Sequence, residues 1–358
     1  MRTSLSVYCL KCLLASGFVQ CLADACVFRL MGKGSVVMTI AVHEDDVFVV
    51  GERARCDQFG KGLDQMVPIK NLGQLRCCSG CFYESVWEKG VLEISQQTFA
   101  EQLADEYGIE FGKSVPLHVA TRLADFNENE ASGDRPFREL GGSLMWLLTQ
   151  TWPDISNPVR PVARYCAAPK FVHWRAALDI LGYVRWTSSF GINSQRGIVG
   201  GLSLQVFADA DYASKAADRK SVSGGLVICG GACVSWFSRT QKCVSLSATE
   251  AEYVAPADVT KEVLFLRQVW RFMLPDVGMP CIPVFEDNQG AVQLAQNRII
   301  NSNSKHIDVR HHVIKELVGR KEVSIIHVSS LFQHADFLTK AISQESFEFH
   351  GSVAMNLW

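Results

Sequence analysis

Apolar positions in the C-terminal part of the chain repeat first with the period of strands and then with the period of helices. Short apolar runs predict strands at 202–208, 224–229 and 232–238, and Gly230-Gly231 forms a tight turn between the last two. A helix is expected from 247 to 273, although Pro256 should kink it or confine its regularity to the C-terminal part. The remaining predicted elements are strand 282–285, helix 288–297, helix 305–319, strand 323–328 and a last helix near 332–341.

The N-terminal half of the chain alternates between shorter strands and helices. Helices are predicted at 4–18, 53–66 and 96–107, and strands at 26–31, 36–42, 47–50 and, as a pair, within 72–94. A polar, turn-rich loop at 125–136 precedes helices at 137–149, 155–166 and 173–187. The glycine-rich stretch 191–201 is the best candidate for a domain boundary. We therefore divide the chain into four parts: 1–125, 126–201, 202–341 and a C-terminal tail at 342–358.

Composition adds few constraints. The 358 residues carry a formal net charge of -2, so the overall charge gives no sign of a nucleic-acid partner. The 13 cysteines lack even spacing and are expected to be reduced thiols of an intracellular protein. The apolar stretch from Leu5 to Val19 is interrupted by Lys11, which favours an amphipathic helix over a secretory signal. No apolar run reaches the roughly 20 residues of a membrane span.

Acidic residues stand at the ends of the predicted elements of the last domain. They are Asp209 and Asp211 after the first strand, Glu250 and Glu252 at the start of the long helix, Glu286 and Asp287 after the fourth strand, and Asp336 near the last helix. Carboxylates that converge from separate elements can hold hard divalent cations, which prefer oxygen ligands. Such a site supports metal-assisted cleavage of phosphodiesters. Asp211 would share the strand face of Asp209, whereas Glu286 should face away from Asp287.

Seven sequence blocks follow one another in this part of the chain. They are Phe207-Ala-Asp-Ala-Asp-Tyr212, Asp218-Arg-Lys-Ser-Val-Ser-Gly-Gly225, Val234-Ser-Trp236, Leu246-Ser-Ala-Thr-Glu-Ala-Glu-Tyr-Val254, Glu286-Asp-Asn-Gln-Gly-Ala291, Ser304-Lys-His-Ile-Asp-Val-Arg-His-His312 and Ala335-Asp-Phe-Leu-Thr-Lys340. Together they resemble the ribonuclease H domain of Ty1/copia-type retrotransposon Pol polyproteins. The resemblance implies an α/β fold, a βββαβαβα domain with a mixed five-stranded sheet at 202–341.

The resemblance selects one carboxylate from each group. Asp209, Glu252, Asp287 and Asp336 match the catalytic, metal-binding positions of the family, and Glu252 is preferred to Glu250 because the Ala-Glu-Tyr block falls there. Two Mg²⁺ or Mn²⁺ ions are implied, one to activate water and one to stabilise the leaving 3′ oxygen. The implied partner is an RNA–DNA hybrid, whose RNA strand is distinguished by its 2′-hydroxyls. No small-molecule cofactor is implied.

The resemblance extends upstream over nearly the whole chain. Phe137–Trp146, Trp152–Ile155 and His173-Trp174 resemble the segment that joins polymerase to ribonuclease H, which implies a helical connection at 126–201. Ala41–Val47 resembles the hairpin of a reverse transcriptase palm, so Asp45 and Asp46 are expected to be vestigial polymerase residues in a truncated palm and thumb. A working palm needs a further aspartate from an earlier strand, and Glu44 adds a charge beside the pair. Reverse transcription by this chain alone is therefore not expected.

A basic segment of the same domain has two readings. Lys305, His306, Arg310 and His312 are expected either to contact the phosphates of the hybrid or to form a solvated helix start. His334 lies two residues before Asp336, where a proton-shuttling or product-release role rests on a single histidine. Trp236 and Trp270 are expected to be core residues.

Two hypotheses follow from the sequence. The first is a hydrolase that cleaves the RNA strand of RNA–DNA hybrids as part of a Pol polyprotein, in a cytoplasmic particle or the nucleus, with the remaining Pol segments as partners. The alternative is a catalytically inactive transposon-derived fragment that at most binds nucleic acid. The complete set of acidic residues favours the first, whereas Glu44 and Pro256 favour the second.

Overall fold

A computed structural model of the chain describes residues 10–86, 88–124, 126, 135–196, 204–214, 218–278, 280–296 and 313–357. Contacts divide the chain into two compact units. The first consists of Met1–Arg76 with Lys261–Met279, and the second consists of Cys77–Thr260 with Pro280–Trp358. The four-part division drawn from the sequence stays a prediction. Within the described part of the chain, no helix is both long enough and apolar enough to cross a bilayer.

The first unit contains a four-stranded antiparallel sheet. Its strands β1 (Val19–Gln20), β2 (Val27–Gly32), β3 (Ser35–His43) and β4 (Asp46–Gly51) lie in chain order, and helix α1 (Arg53–Met66) follows them. Alternate residues of β3, Met38 and Ile40, are buried in a core with Phe28 and Leu13. Strands β2, β3 and β4 agree with the predicted strands at 26–31, 36–42 and 47–50, and helix α1 agrees with the predicted helix at 53–66. Of the helix predicted at 4–18, residues 10–15 are helical, and residues 4–9 lie outside the described residues.

A second four-stranded sheet belongs to the other unit. Its order is β5 (Cys77–Cys78), β6 (Cys81–Val86), β7 (Val91–Ser95) and β8 (Gly191–Gln195). The start of the glycine-rich stretch, predicted as a boundary, is thus a strand paired with β7. Glycine is required there, because a Cβ on Gly191 would lie 2.7 Å from the carbonyl oxygen of Ile94. The helices between β7 and β8 are α2 (Gln97–Glu106), α3 (Phe137–Gln150), α4 (Ser156–Ala163) and α5 (Phe171–Trp186).

The third sheet is mixed and five-stranded, as the resemblance implied. Its order is β11 (Ala232–Thr240), β10 (Val222–Cys229), β9 (Leu204–Asp211), β12 (Ile282–Glu286) and β13 (Val323–His327). Strand β10 is antiparallel to both β11 and β9, whereas β12 is parallel to both β9 and β13. The carboxyl ends of β9 and β12 therefore meet at one edge of the sheet, and both strands end in acidic residues.

The described residues that follow β11 form helices α6 (Ala248–Met273), α7 (Gln289–Gln296) and α8 (Val313–Gly319). Helix α6 runs without interruption through Pro256, so the expectation that its regularity is confined to the C-terminal part is wrong. The hydroxyl of Thr260, one helical turn after Pro256, donates a hydrogen bond to the Pro256 carbonyl oxygen at 2.6 Å. Residues 305–312, predicted as the start of α8, lie outside the described residues.

The C-terminus differs from the prediction. The helix expected near 332–341 is replaced by two 3₁₀ turns, Ser330–Phe332 and Asp336–Leu338. The segment predicted as a tail forms helix α9 (Gln344–Met355), with Phe347, Ala354 and Met355 buried. Phe337 and Phe347 belong to the same core cluster, in which helices α3 and α5 also take part. The helical period of 344–355 is short and interrupted by polar residues, which explains why the sequence pattern missed it.

Candidate active site

Asp209 lies near the end of β9 and is fully buried. The Thr339 hydroxyl donates a hydrogen bond to Asp209 Oδ2. This contact depends on Gly224, the partner of Asp209 in β10, where a Cβ would lie 2.7 Å from Thr339 Cγ2 and 2.9 Å from Leu338 Cβ. The absence of a side chain there lets the turn Asp336–Leu338 approach the sheet.

Glu252 reaches the same edge from the first turns of α6. Its Oε2 accepts a hydrogen bond from the backbone N–H of Ala210 at 2.8 Å, which fixes the carboxylate beside the end of β9. Burial raises the pKa of Glu252 far above its ordinary value, and the charges of Asp209, Glu286 and Asp287 raise it further. The fold therefore holds this carboxylate in a position where its charged form needs a cation.

Asp287 follows β12 directly and is half-buried. Its Oδ2 accepts a hydrogen bond from the exposed Ser330 hydroxyl at 2.6 Å. A ring nitrogen of His327, at the end of β13, lies 3.1 Å from the Asp287 carbonyl oxygen. Two contacts from the neighbouring strand and turn thus orient this residue.

Asp209, Glu252 and Asp287 each present a carboxylate oxygen within 4.8 Å of the others. These oxygens are the hard ligands that Mg²⁺ and Mn²⁺ prefer. Asp209 Oδ1 is buried and has no hydrogen-bond partner among the described residues, as expected of an oxygen that binds a cation. The donor set, its burial and its mutual repulsion all fit a divalent metal ion.

Asp336 lies beside these three residues but does not belong to the group whose carboxylate oxygens lie within 4.8 Å of one another. It opens a 3₁₀ turn rather than the predicted helix. Lys340 Nζ lies 3.1 Å from Asp336 Oδ1 and 3.6 Å from Asp209 Oδ1. Burial and the charge of Asp209 raise the pKa of Asp336 to about 7, whereas Lys340 opposes the rise. Burial lowers the pKa of Lys340, but Asp209 and Asp336 raise it above its ordinary value, so the ammonium remains charged.

The two carboxylates that competed for these roles have other contacts. Glu250 Oε2 accepts from the backbone N–H of Leu246 at 2.7 Å and so closes the start of α6. Burial raises the pKa of Asp211, Ser214 lowers it through a side-chain hydrogen bond, and Asp209 raises it. Neither residue belongs to the three-carboxylate group. The geometry therefore favours Glu252 over Glu250 and Asp209 over Asp211, while the catalytic roles stay predictions.

Glu286 is more involved than the sequence suggested. It is fully buried, its Oε1 accepts from the backbone N–H of Asn288 at 3.0 Å, and its Oε2 has no hydrogen-bond partner among the described residues. Burial raises its pKa well above the ordinary value, the Asn288 bond lowers it, and Asp209 raises it. Strand β12 ends at Glu286, so Asp287 lies beyond the strand, and the charge of Asp287 also raises the pKa of Glu286. The charge of Glu286 in turn raises the pKa of Glu252.

The paired aspartates of the first unit occupy a different environment. Glu44 and Asp45 form the two-residue turn between β3 and β4, with Glu44 at a φ of 51°, and Asp46 begins β4. All three side chains are exposed. Among the described residues, no group of three metal-binding side chains includes Asp45 or Asp46. The vestigial polymerase role stays a prediction.

His334 is a packing residue by its surroundings. Its ring lies 4.8 Å from that of Phe207, and its Nδ1 is 2.9 Å from Nδ1 of His350 in α9. Burial lowers the pKa of His334 to about 4, which keeps the ring neutral near pH 7. The basic residues Lys305, His306, Arg310 and His312 lie outside the described residues, so their contact with nucleic acid stays a prediction.

Sequence reasoning missed several residues that shape the site. Thr339 and Lys340 stand in a quoted motif, Ala335–Lys340, so their position offered a signal that the carboxylate search ignored. Ser330 stands in no motif, and its bond to Asp287 exists only because the chain turns after β13. Charges and hydroxyls that act across a fold have no periodic signature in the sequence.

The comparisons with known proteins cover most of the chain. No protein-family model matches it. It is 29% identical over 344 residues to the retrovirus-related Pol polyprotein from transposon TNT 1-94 of Nicotiana tabacum, across 92% of this chain and 25% of that relative. It is also 29% identical over 339 residues to the Pol polyprotein from transposon RE2 of Arabidopsis thaliana, across 94% of this chain and 23% of that relative. The chain thus spans about a quarter of the length of these curated relatives.

Solved structures resemble the chain more weakly. The N-terminal RNase H domain of Rv2228c from Mycobacterium tuberculosis shares 11% identity at a TM-score of 0.29 and covers 42% of this chain and 97% of that one. A likeness at that TM-score does not define the fold. The matches to the two transposon polyproteins extend over more than nine-tenths of the chain, so nearly the whole chain is similar to retrovirus-related Pol polyproteins from transposons.

Proposed function

We propose that the chain cleaves the RNA strand of RNA–DNA hybrids by ribonuclease H-type hydrolysis. The observation that carries this proposal is the meeting of Asp209, Glu252 and Asp287, whose oxygens lie within 4.8 Å of one another. The order of the mixed sheet, with the first strand in its centre and the fourth and fifth parallel to it, supports the same conclusion. The similarity to Pol polyproteins over nearly the whole chain suggests a setting in which such hybrids arise.

The chain's own residues prepare the site for a cation. The Ala210 N–H holds Glu252, the Ser330 hydroxyl holds Asp287, and the Thr339 hydroxyl holds Asp209. When bound, a divalent cation supplies Lewis-acid activation of water and neutralises charge on the reacting phosphate. The carboxylates that would hold it are these three, with Asp336 beside them. Because they are fixed before binding, little reorganisation is needed when the substrate arrives.

Lys340 supports the alternative, a fragment without turnover. Its ammonium lies within 3.6 Å of both Asp209 and Asp336 and so neutralises part of the negative charge that attracts a cation. A site closed in this way would bind nucleic acid without cleaving it. Tight Mg²⁺ binding to the wild-type chain would count against this reading, and hybrid binding without cleavage in Mg²⁺ or Mn²⁺ would support it.

The test is cleavage of an end-labelled RNA–DNA hybrid in Mg²⁺ by the wild-type chain and by Asp209→Asn. We expect cleavage of the hybrid, no cleavage of a DNA duplex, and a loss of about 100-fold or more in Asp209→Asn, because losing a ligand should cost at least as much as losing its supporting contacts. Asp218→Asn is the matched control, because Asp218 is exposed in a turn and, among the described residues, accepts from the Lys220 N–H. Undiminished cleavage in Asp209→Asn would remove the site assignment.

We also propose an intracellular location, in a particle or the nucleus, together with the remaining Pol segments. The cysteines that the structure describes are all free thiols, and free thiols in this number suit a reducing compartment. Reverse transcription by this chain alone is not part of the proposal, because Asp45 and Asp46 are exposed in a turn without a third carboxylate among the described residues.

A further inference from the structure

The ammonium of Lys340 faces two of the four carboxylates that the resemblance assigned to metal ions. Its Nζ lies 3.1 Å from Asp336 Oδ1 and 3.6 Å from Asp209 Oδ1. Both acidic side chains are buried, and burial strengthens the attraction because little water screens the charges. A positive charge that belongs to the chain itself is therefore placed beside the oxygens that a metal ion at Asp336 would use.

The turn that carries Asp336 also fixes the backbone of Lys340. The Lys340 N–H donates to the Asp336 carbonyl oxygen at 3.1 Å. The hydroxyl of the neighbouring residue, Thr339, donates to Asp209 Oδ2, and the turn packs against β9 and β10. The direction in which the Lys340 side chain leaves the backbone is thus set by the contact of this turn with the sheet.

Lys340 also lines a cavity, of about 320 Å³, that offers its ammonium no other counter-charge. The described walls of this cavity contain no acidic residue. They are mainly apolar, with Phe337 and Phe347 among them, and they include the cationic Arg122. An ammonium that left Asp336 for this cavity would lose its anionic partners and approach another positive charge. We therefore expect it to stay beside the carboxylates.

The other carboxylates form a group without Asp336. Asp209, Glu252 and Asp287 present oxygens within 4.8 Å of one another, and Asp336 is outside that group. Of the four predicted ligands, a second cation would have Asp336 left and would share Asp209 with the first. A magnesium ion bound to Asp336 Oδ1 at about 2.1 Å would lie within about 5 Å of Lys340 Nζ, where the two positive charges repel each other. The donor set fits one divalent ion, and the second ion that the resemblance implied does not fit beside Lys340.

We propose that the site binds a single divalent cation and that the ammonium of Lys340 takes the place of a second one between Asp209 and Asp336. This rests on the proposed function and names the positive charges with which that site meets its substrate. An ammonium donates hydrogen bonds to phosphate oxygens, but it cannot lower the pKa of a bound water as a metal ion does. Lys340 therefore supplies charge and hydrogen bonds to the phosphate that is cut.

The test counts the Mn²⁺ ions bound to the full chain by electron paramagnetic resonance. Titration of the free chain gives the number bound from the signal that free Mn²⁺ loses. Samples with an intact RNA–DNA hybrid are frozen immediately after mixing. Two Mn²⁺ ions about 3.5–4 Å apart are magnetically coupled, and their spectrum differs from that of isolated ions. We expect one bound ion and no coupled spectrum in the wild type, with and without the hybrid.

Lys340→Met keeps the length of the side chain and removes its charge. It is expected to bind a second Mn²⁺ beside the first and to show the coupled spectrum, because Asp209 and Asp336 lose the ammonium that neutralises them. Lys89→Met is the matched control, because Lys89 is exposed in the turn between β6 and β7. Its count should stay at one. Circular dichroism confirms that each variant is folded before the titration.

Asp336→Asn covers the case in which Lys340→Met does not fold. If one ion is held by the other three carboxylates, this variant still binds one Mn²⁺. If the wild type holds two ions, the count falls from two to one. Asp287→Asn is the comparison, because it removes a member of the three-carboxylate group and should raise the Kd for Mn²⁺ by about 10-fold or more. Asp336→Asn should raise that Kd by less.

The outcomes separate this proposal from the nuclease. A coupled pair in the wild type would overturn it even if the chain cleaves hybrids, and so would a single ion in folded Lys340→Met. If the hybrid does not bind, the counts in the free chain decide. A wild type that binds no Mn²⁺ would overturn both proposals. One ion in the wild type and a coupled pair in Lys340→Met would support the role of Lys340 even in a chain that never cleaves, and in that case the nuclease alone would fail.

Discussion

The ammonium of Lys340 lies 3.1 Å from the Oδ1 atom of Asp336, four residues earlier in the chain. The same ammonium is 3.6 Å from Asp209 Oδ1, so one positive charge faces two buried carboxylates. Those carboxylates repel each other, which is one reason that the pKa of Asp336 rises to about 7 after the larger effect of burial. Lys340 thus offsets the repulsion in the cation-free chain and competes with any metal ion that enters.

The first prediction concerns removal of this ammonium. Lys340→Met keeps the length of the side chain, and in EDTA we expect its Tm to fall by several degrees because Asp209 and Asp336 lose their compensating charge. Saturating Mg²⁺ should raise the Tm of Lys340→Met by more than that of the wild type, because the cation no longer competes with an ammonium. Differential scanning calorimetry with and without Mg²⁺ measures both values. Equal rises in the two proteins would show that Lys340 and the cation do not share a site.

The second prediction separates Glu252 from Glu250. Glu252→Gln should lower hybrid cleavage about 100-fold or more, because it removes one of the three converging carboxylates. Glu250→Gln changes the same chemical group two residues away, but Glu250 accepts from the Leu246 N–H and closes the helix start. Its cleavage rate should stay within about threefold of the wild type, with a stability loss of no more than about 1 kcal/mol. Initial rates at saturating Mg²⁺ give the comparison, and the reverse ranking would reassign the residue.

Much of the mixed sheet was visible in the sequence because its strands carry short, continuous apolar runs. Strand β9 was expected at 202–208 and is described from Leu204 to Asp211, and β12 was expected at 282–285 and extends only to Glu286. The same boundaries placed Asp209 and Asp287 where the strands end. The apolar runs and the positions at which the strands end therefore determine which carboxylates become neighbours once the sheet forms.

The remainder of the site depends on contacts between residues far apart in the chain. Thr339 bonds to Asp209, and Ser330 bonds to Asp287, although 130 and 43 residues separate the members of these pairs. No local period encodes such partners. The buried face of α9 was not predicted for a similar reason. Phe347 packs against a core of residues that are distant in the sequence, so its burial cannot be predicted from the residues around it in the chain.

The third prediction concerns Asp154, a buried carboxyl that does not belong to the group of three converging carboxylates. Burial raises its pKa from 3.8 to about 6, although the Tyr183 hydroxyl donates to its Oδ2 and lowers it. The folded chain therefore holds a proton between these pH values that the unfolded chain has released. The stability due to this proton is complete below about pH 4 and is lost as the pH rises through about 6.

Asp154→Asn should remove that pH dependence. Asparagine keeps an acceptor for Tyr183 and never ionises, so at pH 8 the variant should be more stable than the wild type by up to about 3 kcal/mol, the equivalent of the pKa shift. Near pH 4 the advantage should vanish or reverse. Tm values of both proteins across this range provide the measurement, and a constant difference between them at every pH would contradict the buried titration.

The last prediction concerns the close approach of a turn to the sheet at Gly224. A Cβ added there would lie 2.7 Å from Thr339 Cγ2 and 2.9 Å from Leu338 Cβ, so Gly224→Ala must displace the turn that carries Asp336. We expect a loss of about 1–3 kcal/mol in stability and a larger fall in cleavage than in hybrid affinity. Gly142→Ala is the matched control, since nothing lies within 4 Å of its added Cβ in α3, and it should gain about 0.5–1 kcal/mol from helix propensity. Thermal melts and cleavage rates of the two variants decide the matter: wild-type behaviour of Gly224→Ala would mean that the turn and the sheet are not held at this distance in solution.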